Sequence, residues 1–163
     1  MRNVPYPEIV SKTAEIMQSP ALAGQADLVV DQTGVGAPVV DLFRQAGLKP
    51  TGVLIHGGDK ASNEGGTWRV PKRDLVGSLQ VLFQSGRFKI SRKLPLASVL
   101  QSELLNFKVK IDPVTAHDSY SAWRERDHDD LVLSVALAAW LGERPRYQPS
   151  GWLPPIDQPE GIF

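Results

Sequence analysis

The 163-residue chain contains no cysteine, which excludes disulfides, thiolate zinc sites and cysteine nucleophiles while leaving oxygen-ligand metal chemistry open. It also has no apolar run approaching the roughly 18 residues that a membrane-spanning helix needs, and its opening stretch, MRNVPYPEIVSK, lacks the apolar centre of a secretory leader. A cytoplasmic protein with no membrane partner is therefore expected. Aromatic residues make up only 7% and do not interleave with the basic ones, so no stacking groove for single strands is marked. Gly34 and Gly36 give only a GVG, without the phosphate-loop spacing or the dinucleotide fingerprint, and nucleotide binding is rejected on that ground.

What the chain does have is a 42% hydrophobic content, enough for one globular domain with a real core. The pattern alternates between helix and strand. YPEIVSKTAEIM puts Ile9, Thr13, Ile16 and Met17 near one helical face, with Pro7 in its first turn. A short buried strand follows over Leu28–Val30, then a helix from about Pro38 to Ala46 and a second buried strand in TGVLIHGG. GGDKASNEGGTWRVP reads as a long polar loop. Beyond it, Leu75, Leu79, Leu82 and Phe83 repeat at helical spacing up to Gly86, RFKI is extended, and a helix over Leu96–Leu104 and a strand over Phe107–Ile111 come next. The last helix, Leu131–Leu141, is apolar on every face except Ser134, which marks it as buried. Residues 1–145 thus form one α/β domain, and 146–163 a proline-rich tail.

The zero net charge conceals a segregation. Between Asp59 and Ile111 ten basic residues face four acidic ones, a net +6, and the flanks carry the balancing −6. A basic surface next to an acidic cluster suits a metal-dependent enzyme acting on a polyanion, whereas a solvated basic face that only aids solubility is the plainer alternative. Lys60, Arg69, Lys72 and Arg73 are the candidate contacts to duplex DNA.

The acids concentrate at the start of the last helix, where Asp127, His128, Asp129 and Asp130 precede the apolar run. One aspartate there is ordinary capping chemistry, favoured by the unpaired N–H groups of a first turn. Three carboxylates in four residues repel one another unless a cation or basic groups sit close by. Asp127 and Asp130 lie three apart on one helical face, so that pair, or Asp130 with Asp129, offers oxygen ligands to a hard cation. Asp31 follows the Leu28–Val30 strand, where sites form in open α/β sheets, although a turn or capping aspartate is equally plain there. His56 ends a strand and His117 sits in a loop, neither at ligand spacing; His128 alone stands among carboxylates, as a ligand, an outer-shell donor or an exposed first-turn residue.

Three stretches in this order, DLVVDQTGVGAPVVDLF, VPKRDLVGSLQVLFQSGRFKI and DHDDLVLSVALA, resemble the nuclease domain of the phage terminase large subunit over about Tyr6 to Arg144. The resemblance implies an RNase H-like mixed sheet flanked by helices and a magnesium- or manganese-dependent hydrolase. In that family two metal ions cut concatemeric viral DNA during packaging. It implies Asp31 as the second catalytic acid and Asp130 with Asp129 as the last, with Asp127 and His128 in a second tier of metal ligands. It further implies a bacteriophage or prophage protein in a bacterial host cell, with double-stranded DNA and other terminase or portal components as partners.

The chain departs from the family pattern in one respect. The family's first strands, one of which carries the first catalytic acid, have no counterpart before Tyr6. An incomplete metal site, weak activity until those strands are restored, and self-association through an open edge beside Leu28–Val30 are the resulting expectations. A non-catalytic prophage remnant or interaction protein keeping the fold is the alternative reading, and a resolvase-like nuclease of the same fold a further one.

Overall fold

In a computed structural model of the protein, residues 4–33, 36–106 and 130–144 are described. The strand expected over Phe107–Ile111 and the tail 146–163 lie outside them.

Helix α1 (Tyr6–Met17) starts with Pro7 in its first turn, as expected, because a fixed φ and a missing N–H cost nothing there. Its apolar face is weaker than the spacing predicts. Only Val10 is buried and Ile16 is 50% exposed; Val10 packs with Val39 and Phe43 of α2 (Gly36–Gln45), in a small cluster that Leu28 and Val30 support. Strand β1 (Val29–Asp31) and strand β2 (Thr51–His56) flank α2 in sequence and pair in parallel. Helix α2 ends in a Schellman cap: Gly47, at φ 78, donates to the Arg44 carbonyl, Leu48 donates to that of Phe43, and Leu48 packs back onto the same cluster as Phe43.

The polar stretch after β2 is not the loop that its composition suggests. It folds into strands β3 (Ser62–Glu64) and β4 (Thr67–Pro71), paired antiparallel with Glu64 opposite Thr67. Gly65 and Gly66 both have positive φ, the requirement of a tight two-residue hairpin turn that favours glycine at both central positions. Strand β4 then inserts beside β2 in parallel, so the order is β1-β2-β4-β3 and the sheet is mixed. Val70, which follows the charged Arg69, is fully buried at the centre.

Helix α3 (Lys72–Gln84) follows β4 directly and buries Leu75, Leu79 and Leu82. Phe83, expected in the same apolar stripe, is 42% exposed and meets Phe88 edge to face instead. Gly86 closes α3 with a second Schellman cap, Gly86 N–H to the Phe83 carbonyl and Arg87 N–H to that of Leu82. The RFKI stretch forms no strand, the Phe88 N–H also turning back to Leu82. Helix α4 (Ala97–Asn106) and helix α5 (Asp130–Gly142) complete the described residues. Helix α5 is buried as its composition predicts, sending Val132, Leu133, Ala136, Leu137 and Trp140 into a core with Val53, Ile55 and Val70 of the sheet and Leu75 and Leu79 of α3. The architecture is α/β, with α3, α4 and α5 over one sheet face and α1 and α2 over the other. No helix among the described residues is long and apolar enough to cross a membrane.

Candidate metal-binding site and basic surface

Asp31 is the last residue of β1 and lies in register with Val53. Residues paired across neighbouring strands share a face, and Val53 belongs to the core under α5, so the Asp31 carboxylate projects toward the α5 side. Its Oδ1 accepts the Thr33 N–H at 2.8 Å, a turn that an aspartate supports with its own side chain. The turn role expected as the plain alternative is therefore realised on one oxygen. Beyond it the chain keeps to β2 without ladder pairing: Gln32 N–H donates to the Val53 carbonyl at 2.7 Å, and Thr33 Oγ1 accepts from Ile55 N–H at 2.8 Å. Because Asp31 pairs with Val53 and not with His56, it sits about halfway along β2, short of the sheet's tip.

Asp130 is the first residue of α5 and is exposed. The direction of α5 follows from its other end. Ala138, Leu141 and Gly142 share a cavity with Val29 and Thr51, the first residues of β1 and β2, and with Trp68 near the start of β4; Trp140 meets Trp68 edge to face at 5.6 Å. The carboxyl end of α5 thus covers the amino ends of the parallel strands, and its rise of about 1.5 Å per residue carries Asp130 back toward their carboxyl ends. Asp31 and Asp130 consequently belong to the same face of the sheet, with Asp130 displaced toward the tip.

The structure adds a residue that the sequence does not single out. Glu103 of α4 accepts the Val132 N–H through Oε2 at 2.8 Å. That bond satisfies one of the orphan donors in the first turn of α5, a task the aspartates before it were expected to share. Glu103 lies 29 positions upstream in the middle of another helix, so only the packing of α4 on α5 reveals it. His56 also gains weight. Its Nδ1 accepts the Gly58 N–H at 2.9 Å, while Nε2 is buried with no partner among the described residues.

Asp127, His128 and Asp129 lie outside the described residues. Among the described residues, no three histidine, aspartate or glutamate side chains converge as a metal-holding group. Asp31 and Asp130 each offer hard carboxylate oxygens, the ligand type that magnesium and manganese take.

The basic candidates separate into three kinds. Lys60 and Arg69 are exposed, but Arg69 pairs with Leu54 on β2, one position off Val53, so it projects from the sheet face opposite to Asp31. Arg73 is exposed and ion-paired through Nη1 with Asp59 at 2.7 Å, its Nη2 also donating to the Asp59 carbonyl. Lys72, expected to contact phosphate from the surface, is instead buried at 6% exposure. It opens α3 immediately after Pro71, and that position at a strand-to-helix junction turns its stem into the protein.

No family model, curated protein or solved structure matches this chain.

Proposed function

We propose that the chain carries a metal-dependent DNA endonuclease module with an RNase H-like sheet, of the kind found in the nuclease domain of the phage terminase large subunit. One observation carries the reading: Asp31 projects onto the sheet face that α5 covers, and α5 opens with Asp130 at the end where the strands terminate. Capping does not account for that acid at Val132, because Glu103 already holds the amide. In this reading Asp31, Asp130 and Asp129 hold divalent magnesium or manganese, Asp127 and His128 stand behind them, Lys60 and Arg73 meet DNA phosphates, and Arg69 meets them only where the duplex reaches the opposite face of the sheet. When bound, such ions polarise the phosphodiester and offset the charge that develops on it. Self-association through β1 belongs to the same proposal, β1 being a terminal strand of the sheet among the described residues and an unpaired edge being a template for another chain.

The experiment is calorimetric titration with Mn²⁺ beside a plasmid-nicking assay, on the protein and on Asp31→Asn, Asp130→Asn and Glu64→Gln. Glu64, exposed on β3, serves as a control acid. Each asparagine variant should lose Mn²⁺ affinity by more than the roughly 10–100-fold that outer-shell partners of a metal cost, and with it the weak nicking that an incomplete site supports, with Glu64→Gln unchanged. A protein that neither binds Mn²⁺ nor nicks DNA supports the non-catalytic alternative, and nicking indifferent to both aspartates removes the site assignment.

A further inference from the structure

Helices α3 and α4 leave between them a groove of about 860 Å³ whose walls include Leu79 and Phe83 from α3, Ile90 from the connection, and Leu104 and Leu105 from α4. Leu105 is 72% exposed, and among the described residues the groove has one charged wall residue, Arg92, and no acid. Lys89 and Lys93 stand exposed on either side of Arg92 in the chain. Contiguous apolar surface of this kind on a soluble domain marks a place where something docks.

We propose that the occupant is the chain's own proline-rich segment, residues 149–163, bound in cis. Three observations select it. The first is where α5 delivers the chain: Glu143, just past its last turn, is ion-paired with Arg87, and Arg87 follows the Schellman turn that ends α3 at Phe83 and Gln84, two residues of the groove wall. The second is reach. Residues 145–163 span roughly 60 Å at about 3.3 Å per extended residue, against roughly 15 Å for the ten residues of α4 along the groove. The third is complementarity. The segment offers Trp152, Leu153 and Ile156 as apolar anchors, and Asp157 and Glu160 as its only charged side chains, opposite a groove whose own charge is basic. Pro149, Pro154, Pro155 and Pro159 each fix their own φ, which lowers the entropy lost on docking, and proline-rich segments seat in apolar grooves by this logic.

The absence of cysteine makes a test direct, because Ser150→Cys in the full chain is the sole thiol. A nitroxide attached there should abolish the amide cross-peaks of residues 79–84 and 98–105 in a ¹⁵N-labelled sample, with recovery when the nitroxide is reduced. Trp152→Ala, which leaves the described fold untouched, should restore those peaks in the oxidised sample. Arg92→Glu should do the same, and adding Asp157→Arg to it should bring the loss back. Peaks of the groove that survive the label, or a loss confined to other surfaces, overturn the proposal. In a mixture of ¹⁵N-labelled protein without nitroxide and unlabelled protein with it, loss in the groove would assign the occupant to a second copy and overturn docking in cis.

Discussion

The two faces of the sheet are built to different depths. On the α5 side, ten buried residues from β2, β4, α3 and α5 form one cluster, with Leu75, Val53, Val70, Val132 and Ala136 fully buried. On the α2 side, the cluster of Val10, Val39 and Phe43 is supported by half-buried Leu28 and Val30. Rigid placement of functional groups requires a shell that is itself locked by packing, and Asp31 projects to the deep side while Arg69 projects to the shallow one. A metal site built on Asp31 and Asp130, as proposed, would draw on the well-packed half, and a DNA contact from Arg69 would draw on the other. Arg69 and Asp31 do not line one groove on a common face.

The largest expected effect sets the two cores against each other. Leu75→Ala, at 0% exposure on the deep side, should cost about 2–5 kcal/mol, the range for a leucine truncated in a core that cannot collapse. Val10→Ala on the shallow side removes two methyl groups at about 0.8 kcal/mol each and leaves a site that can close, so about 1–2 kcal/mol is expected. Urea unfolding measures both. Equal losses would mean that the shallow face is as constrained as the deep one, and native-state hydrogen exchange, with α1 opening before α5, would sharpen the contrast.

Much of this division was legible in the sequence, and the failures have physical causes. The continuous apolar run from Leu131 announced a buried helix, although Ser134 and Ala138 leave one side of it exposed, and Leu75, Leu79 and Leu82 announced the stripe beneath it. The strand β4 was hidden because its five residues alternate polar Thr67 and Arg69 with Trp68 and Val70 and follow a glycine-rich stretch. The signal that could have found it was the Gly65–Gly66 pair between residues able to alternate, a hairpin cue that outweighs overall polarity. Lys72 was misplaced because side-chain charge predicts exposure only where the backbone leaves room, and a helix starting directly from a central strand does not. Glu103 was invisible: a carboxylate capping a helix 29 positions downstream has no local pattern. For the acids themselves, sequence proximity grouped Asp127 to Asp130, whereas the placing of Asp31 beneath α5 required the strand register.

The buried and exposed basic residues sharpen the comparison by responding to different measurements. Lys72→Ala should cost about 1–3 kcal/mol, because it disturbs buried polar groups that lose their satisfaction, with only a secondary influence on DNA affinity. Lys60→Ala and Arg69→Ala should leave unfolding within about 0.5 kcal/mol of the parent, as surface changes do. Each should lower the slope of log affinity against log salt by about one unit if it contacts a phosphate. A slope unaffected by Arg69→Ala would confine any DNA contact to the α5 side.

Glu103 tests whether the deep face holds the amino end of α5 as firmly as its middle. Glu103→Ala should cost about 1 kcal/mol, the usual loss for a missing helix cap, with faster amide exchange confined to the first turn after Asp130. Glu103→Gln, which keeps an oxygen acceptor, should recover most of it. Exchange that accelerates along all of α5 would show that its packing under Leu75 and Val132 depends on the cap, contrary to the depth of that core.

The smallest effect lies on the shallow face, at Gly52. A Cβ built there would come 2.4 Å from Gln32 Oε1 and 3.8 Å from Thr67 Oγ1, so alanine is tolerated only if the Gln32 side chain swings away. Gln32 Oε1 is buried with no hydrogen-bond partner among the described residues, and its release toward solvent regains hydration in place of a lost bond. Alanine also narrows the unfolded ensemble, worth about 0.4–1 kcal/mol where the backbone conformation is compatible. The cost of displacing the Gln32 side chain opposes these gains, and Gly52→Ala should fall within about 0.5 kcal/mol of the parent. On a face packed as tightly as the α5 side, the same added methyl group would cost about 1–3 kcal/mol through overpacking. A loss of that size at Gly52, measured by urea unfolding, would show that the α2 face has no room for Gln32 to move and that the two faces do not differ in the way their buried clusters indicate.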